Sequence, residues 1–130
     1  MERFTTETLQ ATANAIAPDG SEVRILLATA RCSLAHFRLA PGMVSKAVAH
    51  RTVEEIWYLL GGRGRMWRKL GAQEEVVEIS VGVAITIPVG TRFQFRSEGN
   101  EPLAAVGVTI PPWPGMEEAD DVAGPWEPTV

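Results

Sequence analysis

A chain of 130 residues, 45% of them hydrophobic, is long enough to bury one sizeable core and too short for two ordinary domains. Its formal charge is −4, and five acids (Glu117, Glu118, Asp120, Asp121, Glu127) follow Trp113 with no base among them. The body is therefore close to neutral and declares no basic face for nucleic acid.

The single cysteine, Cys32, leaves no internal disulfide and suits a reducing, cytoplasmic setting; a lone strand cysteine reads as inert core. The opening MERFTTETLQ has early acids and no apolar segment, unlike a signal peptide. No apolar run approaches the ~20 residues that span a bilayer, so no membrane partner is expected.

Helix-period patterns are almost absent. Short runs of Val, Ile, Leu and Thr, broken by Gly, Pro and Asn, predict an all-β sandwich or barrel of about eight to ten short antiparallel strands. The chain reads as one domain over 1–130: an N-terminal arm at 1–20, a core at about 21–112 and a tail at 113–130. Within the arm, Thr5, Thr6 and Glu7 suit a helix start and Pro18 a stop, so 5–18 reads as a short helical turn or a loose arm. Asp19-Gly20 is a turn. Strands are expected at 22–28, 31–39, 44–50 and 54–60. Gly61, Gly62 and Gly64 then bend the chain as a barrel corner requires.

A hairpin around Gly71 joins 65–70 to 74–79, and strands follow at 83–87, 91–97 and 102–110. Arg63, Arg65, Arg68 and Lys69 read as solvated charges that guard a strand edge, with an anion or partner contact as the alternative. Five prolines in the last twenty residues exclude a central strand there. Trp113 and Trp126 argue for a tail that lies on the body, docks on a second subunit or lids the barrel mouth.

Two stretches organise this pattern: 42–62, GMVSKAVAHRTVEEIWYLLGG, and 82–97, GVAITIPVGTRFQFRS. The first sets Gly42, Val48-x-His50, Glu55 and Gly62 at fixed intervals. The second sets Gly82, Pro88-x-Gly90, Phe93 and Ser97. In this order and at this separation they resemble the two motifs of the cupin superfamily, in which the positions of Val48, His50 and Phe93 are histidines and that of Ser97 an asparagine. The resemblance covers about 33–112. It implies a jelly-roll β-barrel (double-stranded β-helix), usually a homodimer. Glu54 would close its glycine at Gly61 and Glu55 at Gly62; the run EIWYLLGG favours Glu55, with Glu54 facing solvent.

Side chains alternate along a strand, so Glu55, Trp57 and Leu59 share one face, as do Val48 with His50 and Phe93 with Phe95. The resemblance turns those faces inward. Val48, His50, Glu55, Trp57, Leu59, Phe93 and Phe95 would then form a mostly apolar pocket with one acid and one imidazole. A carboxylate in such a cup needs a partner, and His50 is the nearest. The two would form a hydrogen-bonded dyad able to act as a general base, or a satisfied pair left over from a metal site.

A cupin metal site holds iron, manganese, nickel or zinc on three histidines and a glutamate, and Val48 and Phe93 cannot ligate. No cofactor is therefore expected. A divalent transition metal, if bound, would use His36, His50 and Glu55. The leading reading is a small-molecule-binding cupin without a tightly held metal. One alternative is an enzyme, using the His50–Glu55 dyad like the metal-free sugar-nucleotide epimerases of the superfamily, or a metal as an isomerase or oxygenase. Another is an interaction module working through the tail.

Overall fold

The computed structural model describes residues 3–130. Among them are eleven strands: β1 (Ala15–Ile16), β2 (Glu22–Ala28), β3 (Ser33–Leu39), β4 (Val48–His50), β5 (Glu54–Gly61), β6 (Arg63–Leu70), β7 (Gln73–Ser80), β8 (Ala84–Ile87), β9 (Arg92–Ser97), β10 (Leu103–Ile110) and β11 (Ala119–Asp121). They form two antiparallel sheets. One runs β1-β2-β3-β10-β5-β8 and the other β11-β4-β9-β6-β7. This is the all-β jelly-roll that the motif spacing implies. No helix among the described residues is long and apolar enough to cross a membrane.

The period of two decides what is buried. Along β5, Glu54, Ile56, Tyr58 and Leu60 are exposed while Glu55, Trp57 and Leu59 are buried. The inward faces of both sheets meet in one core that includes Leu39, Leu59, Met66, Ile79, Ile87 and Phe95. Each large side chain buried this way contributes on the order of 1.5–3 kcal/mol. The frame glycines Gly42, Gly62, Gly82 and Gly90 all take positive φ, at 77, 71, 91 and 80°. Gly62 is doubly constrained, since a Cβ there would lie 2.4 Å from the Pro102 carbonyl oxygen.

One open alternative is decided for the loose arm, and two expectations change. Residues 5–18 contain no helix; the segment is irregular and ends in β1, which pairs with β2. Arg24 holds it, donating from Nε to the Gln10 carbonyl and from Nη2 to that of Ala11, each at 2.8 Å. The basic run on β6 does not guard an edge, because β6 lies between β9 and β7. Two of its four charges are paired: Arg68 with Glu75 on β7 at 2.6 Å and Arg65 with Glu98, just past β9, at 3.2 Å. Of the three corner glycines, Gly64 lies within β6, against the Arg96 carbonyl.

The tail folds onto the body, as its tryptophans suggest. After a 3-10 turn at Met116–Glu118 it adds β11 to the edge of β4. The Glu118 carboxylate accepts the N–H and hydroxyl of Thr52 and the N–H of Val53. Further on, the buried side chain of Gln94 clamps Trp126 by its backbone: Nε2 donates to the Trp126 carbonyl at 2.8 Å and Oε1 accepts the Trp126 N–H at 3.1 Å. The Arg96 guanidinium sits 5.4 Å from the Trp126 ring centroid, within cation–π reach.

Burial alone would raise the pKa of Glu118, but the Thr52 and Val53 donors outweigh it and hold the carboxyl below its ordinary 4.5. The stability it gives is therefore complete above pH 4.5 and is lost as pH falls through its folded value. Replacing Glu118 by alanine should cost about 1–3 kcal/mol at pH 7, the usual loss when buried donors lose an ionised acceptor. Urea unfolding of the variant should also show a shallower acid limb than the wild type; parallel pH curves would count against the clamp.

Candidate functional site

A cavity of about 390 Å³ opens beside β2 and β3 and is walled mostly by apolar side chains. Ala35 and Phe37 reach it from β3, Val48 and His50 from β4, and Glu55 and Trp57 from β5. The tail supplies Trp113 and Met116 to the same lining. Strand alternation does this placing: each of these pairs is two residues apart on one strand.

The sequence-marked pair meets here. His50 Nδ1 lies 3.1 Å from Glu55 Oε2, and both side chains are more than nine-tenths buried. The contact lacks the alignment of a hydrogen bond, so the buried Nδ1 has no hydrogen-bond partner among the described residues. The other carboxylate oxygen, Oε1, accepts the indole N–H of Trp57 at 3.3 Å. Two aromatic rings meet the imidazole edge-on, with Phe93 at 5.2 Å and Trp113 at 5.1 Å between ring centroids. Glu55 is buried and Glu54 exposed, as the closing glycine at Gly62 indicates.

A third polar group joins them. Asp19, read from the sequence only as a turn residue, is 5% exposed and lines the cavity. Its Oδ1 accepts the Ser21 N–H at 2.9 Å and the Ser21 hydroxyl at 2.6 Å. Burial pushes its carboxyl above the ordinary 3.8; the Ser21 donors pull it back, while the Glu55 charge adds to the rise. No local pattern marks Asp19, because its place beside β4 and β5 is set by contacts distant in sequence. One of them joins the Lys46 N–H to the Asp19 carbonyl at 2.8 Å.

Four sequence-marked residues fall elsewhere. Leu59, Phe93 and Phe95 do not line the cavity; they are packed in the core. The alternation that turns them inward carries them past the cavity, where they interlock with the other sheet. His36 points to the opposite face of β3, since its neighbours Ala35 and Phe37 take the cavity side. It cannot rebuild a ligand set with His50 and Glu55. Among the described residues no group of three or more His, Cys, Asp or Glu side chains is arranged to hold a metal ion. With Val48 and Phe93 apolar, the residues present do not fit the metal centre of the wider superfamily.

A family model described as Cupin domain matches residues 35–109. The chain belongs to the cupin family. This cupin is 34% identical over 103 residues to an uncharacterized protein of Methanocaldococcus jannaschii, covering 75% of this chain and 79% of that one. Its fold is similar to that of a Bacillus halodurans protein (TM-score 0.65, 21% identity, 76% of each chain). It is also similar to an uncharacterized Klebsiella pneumoniae protein with a double-stranded β-helix domain (TM-score 0.66, 16% identity, 86% of this chain and 89% of that one). Oxalate decarboxylase from Bacillus subtilis superposes with a TM-score of 0.69 at 16% identity, over 78% of this cupin and 28% of the larger enzyme. At these identities the solved structures establish the fold alone.

The outward placement of His36 has a measurable sign. Burial, then the charges of Arg24 and Arg38, lower its pKa below 6.5. Below pH 6.5 the unfolded chain takes up a proton that the folded chain refuses, so stability falls as pH drops. His36→Gln should remove that part of the decline between pH 7.5 and 5.5 in chemical denaturation. An unchanged decline in this variant would count against the buried placement of His36 beside Arg24 and Arg38.

Proposed function

We propose that this cupin binds a small, largely apolar molecule in the cavity, with His50 and Glu55 orienting it. The observation that carries this reading is the cavity itself. At about 390 Å³ it lies within the range of small-molecule sites, and its apolar walls converge on a few buried polar groups. Trp113 and Met116 extend the wall from the tail, which favours a tail that completes the site over one that serves as a separate docking module.

A second reading is acid–base catalysis on the bound molecule. The 3.1 Å separation of His50 and Glu55 favours it, since a small turn of the imidazole would aim Nδ1–H at the carboxylate and leave the other ring nitrogen as base. Both readings use the same cavity. The catalytic one requires an activity that is lost alike in His50→Ala and Glu55→Gln.

A neutral, environment-sensitive probe such as N-phenyl-1-naphthylamine tests the site. Its fluorescence should rise on adding the protein and saturate at one equivalent per chain. Ala35→Trp fills the cavity from β3 and should reduce that signal at least tenfold, while urea unfolding shows a cooperative fold retained. Equal binding to wild type and Ala35→Trp would remove the cavity as the site.

A further inference from the structure

The polar cluster in the cavity is unevenly composed, with two carboxyl groups and one imidazole. Asp19, Glu55 and His50 all line it, and each is at least nine-tenths buried. Among the described residues, no lysine or arginine does so. Two carboxyls therefore face one imidazole. Even a protonated His50 would answer only one of them.

The hydrogen bonds leave acceptor capacity open. Oδ1 of Asp19 is taken by Ser21, and among the described residues no side chain donates to Oδ2. Glu55 receives one long bond from Trp57 and an unaligned approach from His50, whose buried Nδ1 has no hydrogen-bond partner among the described residues. In a low-dielectric cavity, charge without a partner is costly, and a hydrogen-bonding cation placed among the acceptors offsets part of that cost. Burial raises the Asp19 pKa and the Glu55 charge adds to the rise, so the cavity disfavours the bare anion that a bound cation would favour.

We infer that the molecule taken by this cavity carries a cationic, donor-rich head such as a primary or secondary ammonium on an apolar body, and that Asp19 and Glu55 receive that head. The inference rests on reading the cavity as a binding site. Asp19 and Glu55 accept the N–H donors, while the body lies against Val48, Phe37 and Trp113. Stacking and cation–π contact from the aromatic wall add to the fit. A carboxylate head would meet like charge and be rejected.

Three molecules of one shape separate these possibilities: 2-phenylethylamine, 2-phenylethanol and 3-phenylpropanoate, each competed against the neutral probe at pH 7.5. The amine should bind at least tenfold more tightly than the alcohol, which is about 1.4 kcal/mol. The carboxylate should be the weakest. Asp19→Asn and Glu55→Gln should each cut the amine-to-alcohol affinity ratio by about tenfold.

If the alcohol or carboxylate equals or exceeds the amine while the probe still binds, the cationic head is wrong and the cavity stands. If neither the probe nor any of the three binds, the cavity reading falls with it. An amine preference that survives both substitutions would place the charge recognition elsewhere and overturn the role of Asp19 and Glu55. Should either variant fail to fold, the order of the three affinities in the wild type decides the head group alone.

Discussion

The indole of Trp57 makes four contacts at once. It stacks on Phe37 with centroids 5.1 Å apart, takes the edges of Phe93 and Phe95, and donates its N–H to Glu55. The core below and the cavity above therefore share one side chain. Gly107, opposite Trp57 on β10, makes the arrangement possible. A Cβ there would stand 2.6 Å from the Phe37 ring and 3.1 Å from the indole. Aromatic pairing of this kind adds about 0.5–1.5 kcal/mol per pair beyond burial, and it also sets the orientation of the carboxylate that the indole holds.

In this cupin, packing positions the imidazole where a metal would position it elsewhere in the superfamily. Val48 and Phe93 occupy ligand positions of the motif frame, and Phe93 meets the His50 ring edge-on. Trp113 meets it from the other segment that closes the cavity. The tail is thus part of the site wall, and its anchors are polar: Glu118 caps the turn after β4, and Gln94 grips the backbone of Trp126. The acids that make the tail look like a solvated charge run include one that is buried and fully engaged.

The fold was legible because its constraints are local. Turn glycines at positive φ, a Pro-x-Gly turn and a period of two can be read one strand at a time. Alternation put Val48 with His50 and Glu55 with Trp57 on shared faces; the resemblance to the motif frame turned those faces inward and sorted Glu55 from Glu54. Long-range placement was less visible. Asp19 reaches the site from a turn some thirty residues before His50, and nothing beside it in sequence says so. His36 has inward-facing residues on both sides, but the stretch from Ser33 shows no clean polar–apolar alternation, because the arm held by Arg24 covers part of the outer surface. The basic run on β6 looked like an edge because sheet order is not encoded in strand composition; β7 and β9 take the flanks. Leu59, Phe93 and Phe95 were rightly turned inward, yet alternation gives a side and not a depth.

The sheet order has a consequence for how the molecule comes into being. β10 lies between β3 and β5, although it follows them in the chain by more than forty residues. Until that strand has emerged from the ribosome, β3 and β5 have no common neighbour, and the wall holding Gly107 and Thr109 does not exist. Sequence neighbours such as β1–β2, β2–β3 and β6–β7 can pair early. The other pairings join distant parts of the chain, and their loop closures oppose early assembly. The closed sheet around the cavity therefore cannot form until β10 is available.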